Sequence, residues 1–282
     1  MIYSRGHLRN VLCVDEATLT AVLAVAEMSY APFKKTERRK DGKVKTRDLE
    51  PTIEGLLKKM QGNLNKFLQE EGRLSPNAFG GRRGHDSIKN SKFHQGSKFF
   101  FLTDLKNFFP LIPSRMVKQA FLRKNCPPSI ASSLTRLVTY AGHVPQGAPT
   151  STVVANIVLQ MHAERKLLKL IAGRGIRFTL YVDDLTFSSQ SDFKELCPKI
   201  LELLEGAGFH ISRSKTNYLS KGEVTGNLTS GSSIRPKATI FEKADNSTSF
   251  GQKVGLQVHI KRVTKASKTP RKRVFPQSRI SR

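Results

Sequence analysis

The sequence predicts an α+β protein, in which an antiparallel sheet carries helices packed on one face. Short apolar runs at 98–104 and 176–189 have the composition of strands, and the stretch between them reads as helices separated by Pro/Gly loops. The chain has 282 residues, of which 38% are apolar and 17 are Phe, so it can bury a sizeable core.

The N-terminal part of the chain predicts helices around a basic run. Residues 15–28 have Asp15 in the N-cap position, and residues 51–71 predict a second helix that begins at Pro51. Between them, residues 34–47 (KKTERRKDGKVKTR) hold eight basic and two acidic residues. Such a run is typical of a solvated face or a disordered arm.

The central part of the chain predicts the sheet and most of its helices. The predicted elements are a strand at 98–104, helices at 113–123 and 127–140, a loop at 144–151, a helix at 151–171, two strands within 176–189 joined by Asp183 and Asp184, a helix at 192–207 and a strand at 208–212.

The charge of the chain indicates a polyanionic partner. Lys and Arg number 48 against 22 acidic residues, which gives a net charge of +26, and nucleic acid is the first candidate for such a surface. The sequence has neither a basic amphipathic helix nor a lipidation motif, so we expect no membrane association and a cytoplasmic location. Three distant cysteines, with no CxxC spacing, indicate a reduced protein without a zinc site.

Two adjacent aspartates interrupt the apolar run FTLYVDDLTFSS at 178–189. Asp183 and Asp184 would lie at the rim of a hairpin, and Asp104 ends another apolar strand. If these strands are neighbours, the three carboxylates converge, and a divalent cation such as Mg²⁺ would relieve their repulsion. An isolated Asp-Asp pair is more often only a turn. The surrounding motifs reverse that preference.

Several motifs resemble, in order, those of reverse transcriptases. YVDD resembles the catalytic hairpin of that family, FLTDLKNFFP its first catalytic strand, VPQGAPTSTVVANIVL its Gln-Gly loop and helix, GFHISRSKT its Gly-then-Lys segment, and VTG a short motif of retron-type enzymes. GGRRGHDSIKNSKFH is similar to the fingers segment of retron and group II intron enzymes, with Ser91 where Ala is usual. The resemblance covers about residues 75–230 and implies the right-hand polymerase fold, with fingers and palm.

The resemblance implies a two-metal site. Asp104 and Asp183 would be direct ligands of two Mg²⁺ ions, with Mn²⁺ as an alternative. Asp184 would be a supporting ligand, because successive strand residues point to opposite faces. The backbone of Leu105 would help to hold the metal or the triphosphate.

Residues around the metal site would bind the substrate. Phe109 matches the steric gate that rejects a 2′-OH, although a core role is the alternative. Gln146 and Gly147 match the loop that lies against the incoming nucleotide and the template base. Lys215 matches a lysine near the departing pyrophosphate, but a lone lysine in so basic a chain is equally well a surface residue.

The sequence also predicts roles for two further positions of the fingers segment. Arg82 or Arg83 would grip the triphosphate through paired N–H donors, and the sequence does not distinguish between them. His94 is interpreted as structural rather than catalytic.

The predicted domains are a basic, helical extension at 1–74, fingers and palm at 75–230, and a short, atypical, thumb-like basic segment at 231–282. The predicted function is RNA-directed DNA polymerase acting on a dedicated structured RNA, in a retron or anti-phage defence system. Its partners would be a primer-template duplex, dNTPs and either an effector protein or a second copy of the chain. The alternatives are a template-independent nucleotidyl transferase, an RNA-dependent RNA polymerase and a catalytically idle RNA-binding protein.

Overall fold

The computed structural model describes residues 1–236 except 39–41, 43, 73, 221, 225–226 and 231–232, with side chains described up to residue 220. Its helices are α1 (Arg5–Leu12), α2 (Glu16–Val25), α3 (Leu56–Glu70), α4 (Ser87–Phe93), α5 (Ser114–Arg123), α6 (Pro128–Val138), α7 (Ser151–Leu159), α8 (Arg165–Ile171) and α9 (Cys197–Gly206). Its strands are β1 (Phe33–Arg38), β2 (Val44–Leu49), β3 (Phe99–Asp104), β4 (Arg177–Tyr181), β5 (Asp184–Ser189), β6 (Asn217–Leu219), β7 (Gly222–Val224), β8 (Asn227–Ser230) and β9 (Ser233–Pro236). The fold class is therefore α+β, as predicted.

The central sheet has four antiparallel strands in the order β4-β5-β3-β6. Phe187 of β5 pairs with Phe101 of β3 on one side and with Phe178 of β4 on the other. All three rings are buried in the main apolar cluster, together with residues of helices α5 to α9. Because side chains alternate along a strand, these rings define one face of the sheet, and this face carries the main helical layer.

The opposite face of the sheet is covered in part by the short helix α4. Thr179 of β4 and Ser188 of β5 belong to this face by register, and both contact His94, which follows α4 directly. The expectation that helices lie on one face thus describes the main layer, while α4 packs on the other side.

The described residues of the basic run at 34–47 belong to a two-stranded ribbon whose side chains are mostly exposed, rather than to a disordered arm. Strands β1 and β2 pair antiparallel from Phe33 opposite Leu49 to Arg38 opposite Val44. A cross-strand ion pair between Arg47 and Glu37 at 2.7 Å supports the pairing. The local charge pattern hid the strands, because the apolar alternation that marks a half-buried strand is weak here.

The helix predicted at 51–71 begins later, at Leu56. Thr52 forms an antiparallel bridge with Tyr30, so the segment after Pro51 extends the base of the ribbon before Gly55 precedes the helix. The N-cap at Asp15 is confirmed, because its carboxylate accepts a hydrogen bond from the Thr18 N–H at 2.7 Å.

Three predictions in the second half of the chain differ from the structure. The helix predicted at 192–207 is a 3₁₀ turn at Lys194–Leu196 followed by α9 from Cys197. The predicted strand 208–212 is wrong: among its residues Ile211 alone forms a bridge, to Leu105, and the strand that pairs with β3 on the side away from β5 is the later β6. Gly208, with φ of +90°, turns the backbone instead. The single helix predicted at 151–171 is interrupted by a π-helical turn at Gln160–Glu164.

The thumb-like segment predicted at 231–282 lies outside the described residues from 237 onward. Among the described residues, none of the helices combines the length and the apolar character needed to cross a bilayer.

Candidate active site

The hairpin that joins β4 to β5 has a two-residue loop, Val182 and Asp183. The turn therefore begins one residue before the Asp-Asp pair, and Asp184 opens β5 opposite Tyr181. Val182 has a φ of +61°, which is strained for a β-branched residue and persists only where neighbouring structure holds it.

Gly80 packs directly against this loop. A Cβ at Gly80 would lie 2.2 Å from the Val182 backbone N and 2.8 Å from the Tyr181 Cα, so only glycine fits. Close by, the Phe79 N–H donates to the Leu180 carbonyl at 2.8 Å. Gly80, the first glycine of the fingers motif, thus allows the close approach to the hairpin that carries Asp183.

The structure brings together the three aspartates that the sequence singled out. Asp104, at the end of β3, is buried and lies directly opposite Asp184 in the register of β3 and β5. One carboxylate oxygen of each, with Asp183 as the third, lies within 4.8 Å of the others. Three hard oxygen donors at this spacing fit a divalent cation.

The electrostatics of this cluster are unfavourable without a cation. Partial desolvation, followed by repulsion from Asp104, raises the pKa of Asp183. Desolvation, followed by repulsion from Asp183 and Asp104, raises the pKa of Asp184 to about 7, although its outer surface is open to solvent. The site carries more negative charge than its surroundings compensate.

The order of the ligands remains a prediction. Asp183 lies in the loop, so strand alternation does not separate it from Asp184 as the sequence argument assumed. The Leu105 N–H donates to the Asp183 carbonyl at 2.9 Å, which makes the Leu105 carbonyl oxygen the backbone atom that could serve a cation.

Lys215 reaches the cluster from the segment before β6. Its Nζ lies 2.5 Å from the Asp104 Oδ2 and forms an ion pair with it, with the lysine half exposed and the aspartate buried. The same positive charge opposes the rise in the pKa of Asp183 and Asp184. Lys215 is therefore a member of the cluster rather than a distant surface residue.

Phe108 and Phe109 differ in their surroundings. Phe108 is buried in the main apolar cluster and packs near Phe209, with ring centroids 6.2 Å apart. Phe109 is only partly buried at the edge of that cluster, two residues after Asn107 turns the chain with a φ of +47°. The exposed edge of Phe109 is available to a substrate, and the ring of Phe108 is core.

The predicted nucleotide-binding loop is tied to the base of the ribbon. The half-buried Gln146 accepts a hydrogen bond at its carbonyl from the Glu50 N–H at 2.8 Å. The Glu50 carboxylate in turn accepts from the His143 Nε2 at 2.9 Å. Gly147 has a φ of +119°, which requires glycine.

The two arginines of the fingers motif have different partners. Arg82 is half-buried and donates from Nη1 to the Ser75 carbonyl at 2.9 Å. Arg83 is exposed and forms a surface ion pair with Glu70 at 3.2 Å. The structure therefore holds Arg82 more firmly than Arg83, while the choice between them as triphosphate ligands stays a prediction.

His94 is part of a closed hydrogen-bond network. Its two ring nitrogens lie 2.7 Å from the Ser188 Oγ and 2.6 Å from the Thr179 Oγ1, and the ring is fully buried. Burial lowers its pKa to about 3, so the imidazole is neutral. These contacts support the interpretation of His94 as structural.

Residues 39–263 match the family model described as reverse transcriptase (RNA-dependent DNA polymerase). The chain belongs to this family. The palm and fingers of that polymerase fold are therefore the frame in which the aspartate cluster lies.

The chain is also similar to curated retron enzymes. It is 27% identical over 205 residues to the retron Ec86 reverse transcriptase of Escherichia coli, covering 72% of this chain and 63% of that relative. It is 29% identical over 209 residues to the retron Se72 reverse transcriptase of Salmonella heidelberg (strain 579083-10), covering 73% and 53%. The chain thus spans less than two thirds of the length of both.

Lys45 is a residue of this reverse transcriptase that sequence reasoning missed. It lies on β2, and its positive charge lowers the pKa of Asp183 against the larger effects that raise it. The ribbon therefore brings basic charge to the aspartate cluster. Treating 34–47 as a strand pair, with its alternate residues on one face, would have drawn attention to Lys45.

Proposed function

We propose that this reverse transcriptase is an RNA-directed DNA polymerase that adds dNTPs to a primer 3′-OH. The observation that carries the proposal is the convergence of Asp104, Asp183 and Asp184 within 4.8 Å, in a chain of this family. Desolvation, followed by repulsion from Asp183 and Asp104, raises the pKa of Asp184 to about 7, and bound divalent cations would relieve the repulsion. We assign two Mg²⁺ ions, with Mn²⁺ as the alternative.

In the proposed site, Asp104 and Asp183 would hold the cations directly, and Asp184 and the Leu105 carbonyl would support them. Bound cations would supply charge neutralisation for an in-line displacement. The protein provides no nucleophile, because the primer 3′-OH attacks the α-phosphate and the bond to pyrophosphate breaks. The work of the chain is to position the reactants.

Lys215 has two successive roles in this proposal. In the free protein it neutralises Asp104, with the two groups 2.5 Å apart. If a cation neutralised Asp104 instead, the Lys215 ammonium group would be available to the departing pyrophosphate. The half-exposed side chain of Lys215 would allow that contact.

We assign the nucleotide and nucleic-acid contacts to the fingers. Gln146 and Gly147 lie against the incoming nucleotide and the template base, and Arg82 or Arg83 grips the triphosphate. The ribbon and other basic surfaces hold the phosphates of an RNA–DNA hybrid, which is read by backbone and shape. Domain boundaries at 1–74, 75–230 and 231–282 belong to the same proposal.

We infer that the template is a dedicated structured RNA of a retron or anti-phage defence system. The support is the similarity to proteins named retron reverse transcriptases, all from bacteria. A bacterial cytoplasmic location and an effector protein or second copy as partner remain predictions from the sequence.

Sugar selection distinguishes DNA from RNA synthesis. If Phe109 is the gate, Phe109→Ala should admit rNTPs, because the ring no longer fills the space of a 2′-OH. Phe108→Ala is the matched control, since this neighbouring ring is core and its loss should mainly reduce stability, by about 3–5 kcal/mol. Steady-state incorporation of dNTPs and rNTPs on one primer-template measures the ratio. Equal rejection of rNTPs by wild type and Phe109→Ala would assign the ring to the core.

The test of the function is primer extension with the purified full chain, Mg²⁺ and an RNA template annealed to a DNA primer. Template-dependent dNTP incorporation that is absent from Asp183→Asn/Asp184→Asn supports the proposal. Equal incorporation without template would indicate a nucleotidyl transferase, and a preference for rNTPs an RNA polymerase. RNA binding with no incorporation under any condition would indicate an idle RNA-binding protein.

A further inference from the structure

Glu164 is a buried carboxylate that the proposed mechanism does not use. Only 4% of the residue is exposed, and it ends the π-helical turn between α7 and α8. A π turn inserts a residue into the helix and shifts the direction of the side chains that follow. In this turn Ala163 and Glu164 are both buried.

Among the described residues, the side-chain hydrogen bonds of Glu164 come from one neighbouring segment. Its Oε1 accepts hydrogen bonds from the Ser75 hydroxyl and from the Asn77 Nδ2, the latter at 2.8 Å. A buried carboxylate is retained only where donors compensate its lost hydration. Both donors belong to residues 75–82, which we call the strap.

The strap lies along the edge of the catalytic hairpin. The Asn77 carbonyl accepts from the Leu180 N–H at 2.8 Å, and the Phe79 N–H donates to the Leu180 carbonyl at 2.8 Å. Next along the strap, Gly80 packs against the backbone of Tyr181 and Val182. Asn77 therefore connects the two parts, because its side chain binds Glu164 and its backbone carbonyl binds β4.

A second hydrogen bond joins the helical layer to the strap. The Asn156 Nδ2, on α7, donates to the Gly80 carbonyl at 2.9 Å. At the other end, the Ser75 carbonyl accepts from Arg82. The strap is therefore fixed by α7 and the π turn on one side and contacts the hairpin on the other, while the bond from Arg82 to Ser75 joins its two ends.

We propose that Glu164 is a positioning residue, which acts through the strap to hold the loop that carries Asp183. The strained Val182 requires such support, since a φ of +61° at a β-branched residue persists only when surrounding contacts over-determine it. The effect on catalysis rests on the proposed polymerase function, whereas the effect on the hairpin backbone does not.

The test combines hydrogen exchange with kinetics in three variants of the full chain. Glu164→Gln keeps the shape of the side chain but removes the charge that attracts the two donors. Asn77→Ala removes one of the two donors to Glu164 at a half-buried residue of the strap. This variant tests the same link if Glu164→Gln does not fold. Leu167→Ala, buried three residues further along the helix, lowers stability without touching the hydrogen bonds of Glu164.

The expected result is local. Glu164→Gln and Asn77→Ala should each reduce the exchange protection of the Phe79 and Leu180 amides by tenfold or more relative to Leu167→Ala of matched stability. Their kcat should fall about ten- to a hundredfold, because small misplacements of reacting groups have effects of this size. The double variant should be no slower than the slower single variant, because both changes break the same link.

Exchange and kinetics separate the two proposals. Local loss of protection in a chain whose wild type incorporates no nucleotide would support the role of the strap and refute the polymerase function. Unchanged protection and kcat in a folded Glu164→Gln or Asn77→Ala, or additive effects in the double variant, would overturn the inference.

Discussion

Two polar clusters lie on the same face of the central sheet and differ in how they are neutralised. At the rim, Asp104 and Asp184 face each other across β3 and β5, with Asp183 beside them. Further along the same face, Thr179 and Ser188 enclose the ring of His94. The sheet thus presents one cluster of like charges and one of neutral hydrogen-bonding groups.

The difference teaches how each cluster contributes to the protein. Every ring nitrogen of His94 has a partner, and its pKa of about 3 keeps it neutral, so the network stabilises the fold. In the aspartate cluster, the ion pair that the described contacts show is the one between Lys215 and Asp104. The repulsion that remains between the carboxylates would be relieved by a bound cation. Perturbed groups of this second kind mark functional sites.

The largest expected effect is the loss of activity without loss of stability at the rim. Asp183→Asn/Asp184→Asn should reduce dNTP incorporation by at least about a thousandfold, because bound cations supply several kcal/mol of charge stabilisation. The melting temperature of the metal-free variant should hold or rise, because two repelling charges are removed. Primer extension and thermal melting in chelator measure the two effects. Undiminished incorporation would remove the metal-site assignment.

At the buried hydrogen-bond network of His94 we expect the opposite, a loss of stability without a loss of activity. His94→Ala should lower the free energy of unfolding by about 3 kcal/mol, because it leaves a cavity and removes the ring partner of the buried Thr179 and Ser188 hydroxyls, of which Ser188 keeps its bond to Ser97. Urea denaturation measures this loss, and His210→Ala, at an exposed histidine, is the matched control. The folded His94→Ala protein should keep its kcat. A large drop in kcat at full folding would show that the network acts on catalysis.

Acidity should shift the stability contributions of the two clusters in opposite directions. The pKa of His94 is lowered from 6.5 to about 3 in the folded chain, so on acidification the unfolded chain binds the proton first. The contribution of neutral His94 to the free energy of unfolding is therefore lost as pH falls from about 6.5 toward 3. The pKa of Asp184 is raised from 3.8 to about 7 in the folded chain, so the folded chain keeps the proton on Asp184 to a higher pH than the unfolded chain does. The contribution of Asp184 to the free energy of unfolding therefore falls as pH rises from 3.8 to about 7.

Melting of the metal-free variants between pH 5 and pH 8 measures these opposite slopes. Asp184→Asn should gain stability relative to wild type as pH rises. The deficit of His94→Ala relative to wild type should shrink as pH falls. Parallel curves for all three proteins would contradict the difference drawn between the clusters.

The smallest expected effect concerns the loop between the aspartates and β4. Val182→Asn should raise the free energy of unfolding by up to about 1 kcal/mol, because Asn tolerates a positive φ better than a β-branched residue does. Val182 also packs against the core, which limits the gain. Urea denaturation measures it, with Val14→Asn, at a partly buried valine elsewhere, as a control that should only lose stability. A clear loss at Val182 would mean that packing outweighs strain.

The sequence by itself determined the parts of the protein that depend on local pattern. Helices α5 and α6 begin where Pro113 and Pro127 indicated, and Asp15 caps α2. The three aspartates stand out because each follows or interrupts an apolar strand, a signal contained within a few residues, but it was the resemblance of the surrounding motifs that favoured a metal site over a turn. Their convergence followed from placing those strands side by side.

Only the tertiary structure decided the contacts between segments far apart in the chain. The ribbon was hidden because its charges mask the strand pattern, and its effect on Asp183 depends on where β2 is placed. Glu164 and Asn77 are 87 residues apart, and no local pattern signals that a π turn would direct this carboxylate toward the strap. Such hydrogen bonds depend on how helices and strands pack, and packing is a property of the whole fold rather than of any short stretch of sequence.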